Sequence, residues 1–146
     1  MCKLVDVHTN YGETIKVAEI KKDSITNIMK AAKECSKIEE VILFGSSLEE
    51  RCNEQSDIDI AVISNVTRAK LFHNKAYHEF IRKIYLYKIG QDYDVLQFNS
   101  VSDIDGSKDM VCFDIKHTGK TIYRRYCSIV TFMGFFHCSK IPEKNL

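Results

Sequence analysis

Two neighbouring stretches constrain this chain more than any other part of it: Val41-Ile42-Leu43-Phe44-Gly45-Ser46-Ser47 and, after a short polar insert, Ser56-Asp57-Ile58-Asp59-Ile60-Ala61-Val62. Four consecutive apolar residues followed by Gly-Ser read as a short buried strand that ends in a sharp turn. In the second stretch successive side chains alternate between faces, so Ile58, Ile60 and Val62 share one side of a strand over 57–64. Asp57, Asp59 and Ala61 share the other. Two carboxylates side by side repel each other, which makes a purely structural role expensive. An acidic pair heading an otherwise apolar strand therefore marks a site at the strand's end.

The surrounding pattern is that of one α/β domain, a small mixed β-sheet flanked by helices. Residues 1–22 contain two β-like runs, Leu4 to Val7 and Thr14 to Val17, separated by Asn10-Tyr11-Gly12, which predicts an N-terminal arm or hairpin. From Asp23 or Ser24, either of them a suitable N-cap, Ile25, Ile28, Met29 and Ala32 follow helical spacing to about Ser36. Ser47 to Arg51 suit about one helical turn. A long helix is expected from Thr67 to Lys88, with Phe72, Ala76, Phe80 and Ile84 on one stripe and Lys75, Arg82, Lys83 and Lys88 on a solvated face. Gly90 caps it, and a third strand runs from Tyr93 to Phe98. Met110, Phe113, Asp114 and His117 suggest a last helix stopped by Gly119, before a closing strand at Thr121 to Tyr123. The domain is expected over 1–125, with 126–146 as a disordered or loosely packed tail of irregular pattern.

Composition narrows the functional classes. Lys and Arg number 21 against 20 Asp and Glu, so no global field favours nucleic acid or an anionic membrane. The six cysteines form no CxxC pair and, like His73, His78, His117 and His137, lack metal-ligand spacing, which leaves them as packing or surface residues. The N-terminus lacks a signal-peptide core, and the run 129–136 is too short to span a bilayer. A cytoplasmic protein is the expectation.

The chemistry rests on the opening stretches. Gly45 lets the backbone approach a ligand without a Cβ in the way, and Ser46 adds a hydroxyl beside the first free N–H groups of the next turn, an arrangement suited to phosphate. Asp57 and Asp59 supply hard oxygen donors suited to Mg²⁺. Asp94 joins them if the strand Tyr93 to Phe98 lies alongside, with Asp92 as the fallback. It would then share a metal or take a proton from an attacking hydroxyl.

Strand, Gly-Ser, short insert and Asp-x-Asp on the next strand resemble the signature of the DNA polymerase β-like nucleotidyltransferase superfamily. The closest resemblance is to its minimal nucleotidyltransferase domains, the small bacterial antitoxin-like proteins paired with helical HEPN partners. It covers residues 24–124 and includes the spacing from Gly45 to Asp57, the Ser56-Asp57-Ile58-Asp59 wording and a later Asp94. The resemblance implies that Gly45, Ser46 and Ser47 hold the phosphates of a nucleoside triphosphate, with ATP the expected donor. It further implies that Asp57, Asp59 and Asp94 bind two Mg²⁺ ions, and that Asp94 is the general base. Glu49-Glu50 depart from the family pattern, which commonly has a basic residue and a glycine there. Arg51, one position later, is the candidate for the positive charge.

These implications leave several functions open. One is transfer of a nucleoside monophosphate to a hydroxyl acceptor, with a partner toxin protein as the acceptor. A second is a catalytically weak or inactive subunit of the same fold that binds by contact; self-association into a homo-oligomer is compatible with each of these functions. A third is modification of a small molecule such as an aminoglycoside.

Overall fold

The computed structural model describes residues 1–125; the expected tail 126–146, with Cys127, Cys138 and His137, lies outside them. Strands β1 (Leu4–His8) and β2 (Thr14–Ala18) form an antiparallel hairpin. A 3-10 turn over Glu19–Lys21 leads into helix α1 (Lys22–Lys33). Strand β3 (Ile38–Phe44), a 3-10 turn over Gly45–Leu48 and strand β4 (Ile58–Ser64) follow. Helices α2 (Arg68–Phe72) and α3 (Lys75–Tyr87) precede strand β5 (Tyr93–Phe98). Helices α4 (Val101–Asp105) and α5 (Met110–Thr118) lead to strand β6 (Lys120–Arg124).

The main sheet has the order β5-β4-β3-β6. β3 pairs antiparallel with β4 and β6, while β4 and β5 run parallel, which makes the sheet mixed. Its two faces are covered unequally. Val41, Leu43, Ile58, Ile60 and Val62 pack into a large core with α1, α3 and the hairpin, where Ile25, Ile28, Phe80 and Ile84 are almost fully excluded from solvent. Ile42, Phe44, Ala61 and Ile63 face a smaller cluster completed by Ile104, Cys112 and Ile115 of α4 and α5. The alternation in β3 and β4 assigns each residue to its face.

Local chemistry explains where the elements depart from the sequence-based expectations. Helix α1 has no side-chain cap from Asp23 or Ser24: the preceding 3-10 turn runs straight into it, and Lys22 N–H donates to Glu19 O. Asp23 instead lies in the first turn, where its charge suits the helix dipole. The single helix expected over 67–88 is two helices, because Asn74 Oδ1 accepts from Tyr77 N–H (3.0 Å) and starts α3 afresh. The break takes Phe72 out of the apolar stripe; it is exposed, and Leu71 and Tyr77 are buried instead. Ser100 caps the short α4 by accepting from Asp103 N–H. In α5 the inward face is Cys112 and Ile115, while Met110 and Phe113 are exposed and the Phe113 ring meets His117 at a tilt of 45°. Of the basic residues on α3 and just after it, Arg82 pairs with Glu79, Lys83 with Glu34 (2.8 Å) and Lys88 with Glu54 (3.2 Å).

Two long-range contacts close the domain. At the hairpin tip, Asn10 Nδ2 donates to Arg124 O (2.5 Å) while Arg124 N–H donates back to Asn10 Oδ1 (3.1 Å). Tyr11 donates its hydroxyl to Thr121 O, so the tip lies along β6. The Arg125 guanidinium donates to Ala32 O (3.0 Å) and Cys35 O (2.5 Å), adding a side-chain donor to carbonyls that already accept from Cys35 N–H and Ile38 N–H just past the end of α1. The described cysteines Cys2, Cys35, Cys52 and Cys112 are free thiols. No helix among the described residues is long and apolar enough to cross a membrane.

Candidate active site

The parallel register of β4 and β5 sets Asp59 directly beside Asp94, and the antiparallel register of β3 and β4 sets Phe44 beside Asp59. Gly45 therefore leaves β3 next to the Asp59 carboxylate. Its φ of +78° lies in the left-handed region that favours glycine. A Cβ at this position would collide with Asp59 Oδ2, so the carboxylate occupies the space that the missing side chain leaves. The turn thus lies directly against the Asp59 carboxylate.

Asp59 is half-buried, whereas Asp57 and Asp94 are exposed. Burial, then the neighbouring Asp94 and Asp57 charges, push the Asp59 carboxyl up to about 6, with Arg51 opposing the shift. The carboxylates therefore sense one another across two strands. Among the described residues, no group of three His, Cys, Asp or Glu side chains is drawn together as a finished metal-ligand cluster. The three aspartates stand as hard oxygen donors whose mutual repulsion a divalent cation would relieve. Mg²⁺ often takes only one or two carboxylates and completes its shell with phosphate and water, so this donor set fits it.

The other predicted site residues occupy different environments. Ser46 is partly exposed in the turn, and its carbonyl accepts from Glu49 N–H (2.9 Å). Ser47 is fully buried, and its hydroxyl has no hydrogen-bond partner. Arg51 donates from Nε to Glu49 Oε1 (2.7 Å), so one acid of the unusual insert is neutralised by the cation beside it. Glu50 is exposed, and its carbonyl anchors Cys2 N–H (2.8 Å). The Asp92 side chain is exposed, while its carbonyl accepts from Ile58 N–H (3.0 Å) between β4 and β5.

A cleft of about 950 Å³ adjoins Gly45 on the β6 side of the sheet, opposite the strand that carries Asp94. Leu48, Glu49 and Arg51 line it, together with Lys16 of the hairpin and Lys120 of β6. The Arg124 guanidinium, also in its wall, lies 4.3 Å from the centre of the Tyr11 ring. Sequence reading singled out Gly45, Glu49 and Arg51 of this lining, but none of its other basic residues. Lys16, Lys120 and Arg124 are scattered along the chain, and only the docking of the hairpin on β6 gathers them.

A search of curated proteins finds no match to the chain. Among solved structures, one described as a mutant of the toxin-antitoxin MntA-HpeT is 20% identical, with a TM-score of 0.48, over 69% of this chain and 73% of that one. Another, described as a toxin-antitoxin with AMP-PNP, is also 20% identical, with a TM-score of 0.45, over 71% of this chain and 73% of that one. The family model described as "Polymerase beta, Nucleotidyltransferase" matches residues 26–126, which span β3, the Gly45 turn and all three aspartates. By this match, and with the mixed sheet that sets Asp59 between Gly45 and Asp94, the chain belongs to the polymerase β nucleotidyltransferase family.

Proposed function

We propose that this nucleotidyltransferase is Mg²⁺-dependent and moves a nucleoside monophosphate, AMP in the first instance, from a triphosphate to a hydroxyl on a partner protein. The partner follows from the resemblance to minimal nucleotidyltransferase antitoxins and is a helical HEPN-type toxin. The observation that carries the reading is the meeting of Gly45, Asp59 and Asp94 at neighbouring strand positions. A phosphate-accommodating turn and a carboxylate pair then lie within the span of one triphosphate.

In this reading Gly45 and Ser46 receive the β and γ phosphates through the turn's N–H groups and the Ser46 hydroxyl, with Ser47 supporting the turn from beneath. Arg51 offers positive charge at the turn's far end. Asp57, Asp59 and Asp94 would hold the metal, which supplies charge stabilisation for the attacking and leaving oxygens. Asp94, exposed on the outer strand, accepts the proton of the acceptor hydroxyl. The protein's own contribution is mainly positioning.

The test is incubation with labelled ATP, Mg²⁺ and a co-encoded helical partner. The partner should become labelled, and Asp57→Asn or Asp59→Asn should lower the rate at least about a hundredfold, the usual scale for losing a charge-stabilising group. Undiminished labelling by either variant would sink the proposed roles. One observation favours a second reading, a subunit that acts by contact: Arg51 is already engaged by Glu49, which weakens its claim on a triphosphate. Stable binding of the partner without any labelling would establish that alternative, and labelling of an aminoglycoside instead would identify a small-molecule acceptor.

A further inference from the structure

Lys21 is the one fully buried lysine among the described residues, at the junction between hairpin and α1 and outside the segment that matches the family. Burying an ammonium is costly unless hydrogen bonds replace its water. Lys21 Nζ donates to Gln91 Oε1 (2.6 Å) and to Glu54 O (3.2 Å). Gln91 is buried as well, and its Nε2 donates to Ser56 O (3.1 Å) and Asp92 O (2.7 Å).

The places where this network ends give it meaning. Ser56 immediately precedes Asp57. Asp92 lies two residues before Asp94, and its carbonyl also accepts from Ile58 N–H, between Asp57 and Asp59. One amide group thus ties together the entry points of both strands that carry carboxylates, and one ammonium fixes that amide. A buried polar pair used only for packing is readily replaced by apolar side chains. Backbone carbonyls at the entries to both carboxylate-bearing strands point to a different use.

We propose that Lys21 and Gln91 form a buried clamp that sets the spacing of the Asp57 and Asp94 backbones, and that both are positioning residues for nucleotidyl transfer. The inference rests on the metal-dependent reading given above. It also gives the N-terminal segment a part in the site: the hairpin leads directly to the ammonium that holds the clamp.

The test compares wild type with Gln91→Glu and with the double variant Lys21→Met/Gln91→Met. Gln91→Glu keeps an acceptor for Lys21 but loses both donations to the carbonyls. It also adds negative charge near the aspartates, which by itself would tighten cation binding. The double variant replaces the polar pair with apolar chains of similar length, and so preserves the fold if the single change does not. Mn²⁺ affinity, read from the paramagnetic resonance of free ion, should weaken about tenfold in both variants. The single-turnover transfer rate should fall about a hundredfold, as for a misplaced reacting group, with the ATP KM unchanged. Variants that melt at a different temperature but keep wild-type Mn²⁺ affinity and transfer rate overturn the positioning role. A wild-type chain that binds no Mn²⁺, or binds it equally well as Asp59→Asn, overturns the metal reading instead, and the clamp's role falls with it.

Discussion

The two faces of the central sheet are built to different standards. On one, the hairpin, α1 and α3 bury Ile25, Ile28, Phe80 and Ile84 against β3 and β4. On the other, two short helices contribute little beyond Ile104, Cys112 and Ile115. By the alternation of β4 and β5, Asp59 and Asp94 share the lightly covered side with Ala61, Ile63, Leu96 and Phe98. Covering that side fully would bury the carboxylates, and leaving it bare would expose the strands. The thick face therefore carries most of the apolar stabilisation, and the thin face leaves room for ligand.

The strongest challenge to this comparison uses one substitution on each face. Ile84→Ala should cost about 4 kcal/mol in urea unfolding and Ile115→Ala about 2 kcal/mol, within the usual range for truncating buried isoleucine. Equal costs would show that the faces do not differ energetically. Next is Gly45→Ala, which forces a Cβ against Asp59 and an unfavourable φ. Strain of this kind costs about 1–3 kcal/mol, and displacement of Asp59 should abolish transfer as well. An active, equally stable variant would separate the turn from the acids.

A smaller effect concerns pH in metal-free protein. Asp59 binds its proton more tightly when folded, at about 6 against an ordinary 3.8. The native state therefore takes up proton between those values, and this group's destabilising effect, complete above about 6, disappears as pH falls through 4. Because the side chain is half-exposed, solvent screening holds the contribution to about 1 kcal/mol. Asp59→Asn should accordingly raise the melting temperature at pH 7 in chelator while removing activity, and the difference should vanish near pH 4. Comparing the two proteins at each pH removes the opposing contribution of Glu34 and Glu79, whose pKa values are lowered by Lys83 and Arg82. The smallest effect is expected on the outer rim of the thick face. Lys83→Ala breaks an exposed pair with Glu34 and should leave the urea midpoint unchanged.

What the sequence discloses follows from the range of each interaction. The apolar run of β3 and the alternation of β4 are local patterns, and both strands are visible in them. The sharing of one face by Asp57 and Asp59 is likewise a matter of counting by two. The pairing of Asp59 with Asp94 is different, because a parallel register depends on how the intervening helices return the chain. Side-chain caps hide in the same way: Asn74 looks like one more polar residue in a helical window until its carbonyl is seen starting α3. The capping pattern from Ser100 to Asp103 was available as a signal for α4. Lys21 offers no such signal, since beside Lys22 it reads as surface charge and its partner lies 70 residues away.

The paired hydrogen bonds between Asn10 and the Arg124 backbone have a consequence for how the sheet meets other chains. An edge strand with unpaired N–H and C=O groups is a template for association. At β6 a single asparagine side chain imitates the next strand and stops its growth there. Among the described residues, the opposite edge, β5, has no strand beyond it. With one margin plugged, the open lane for an incoming extended segment is the β5 edge, the strand that carries Asp94.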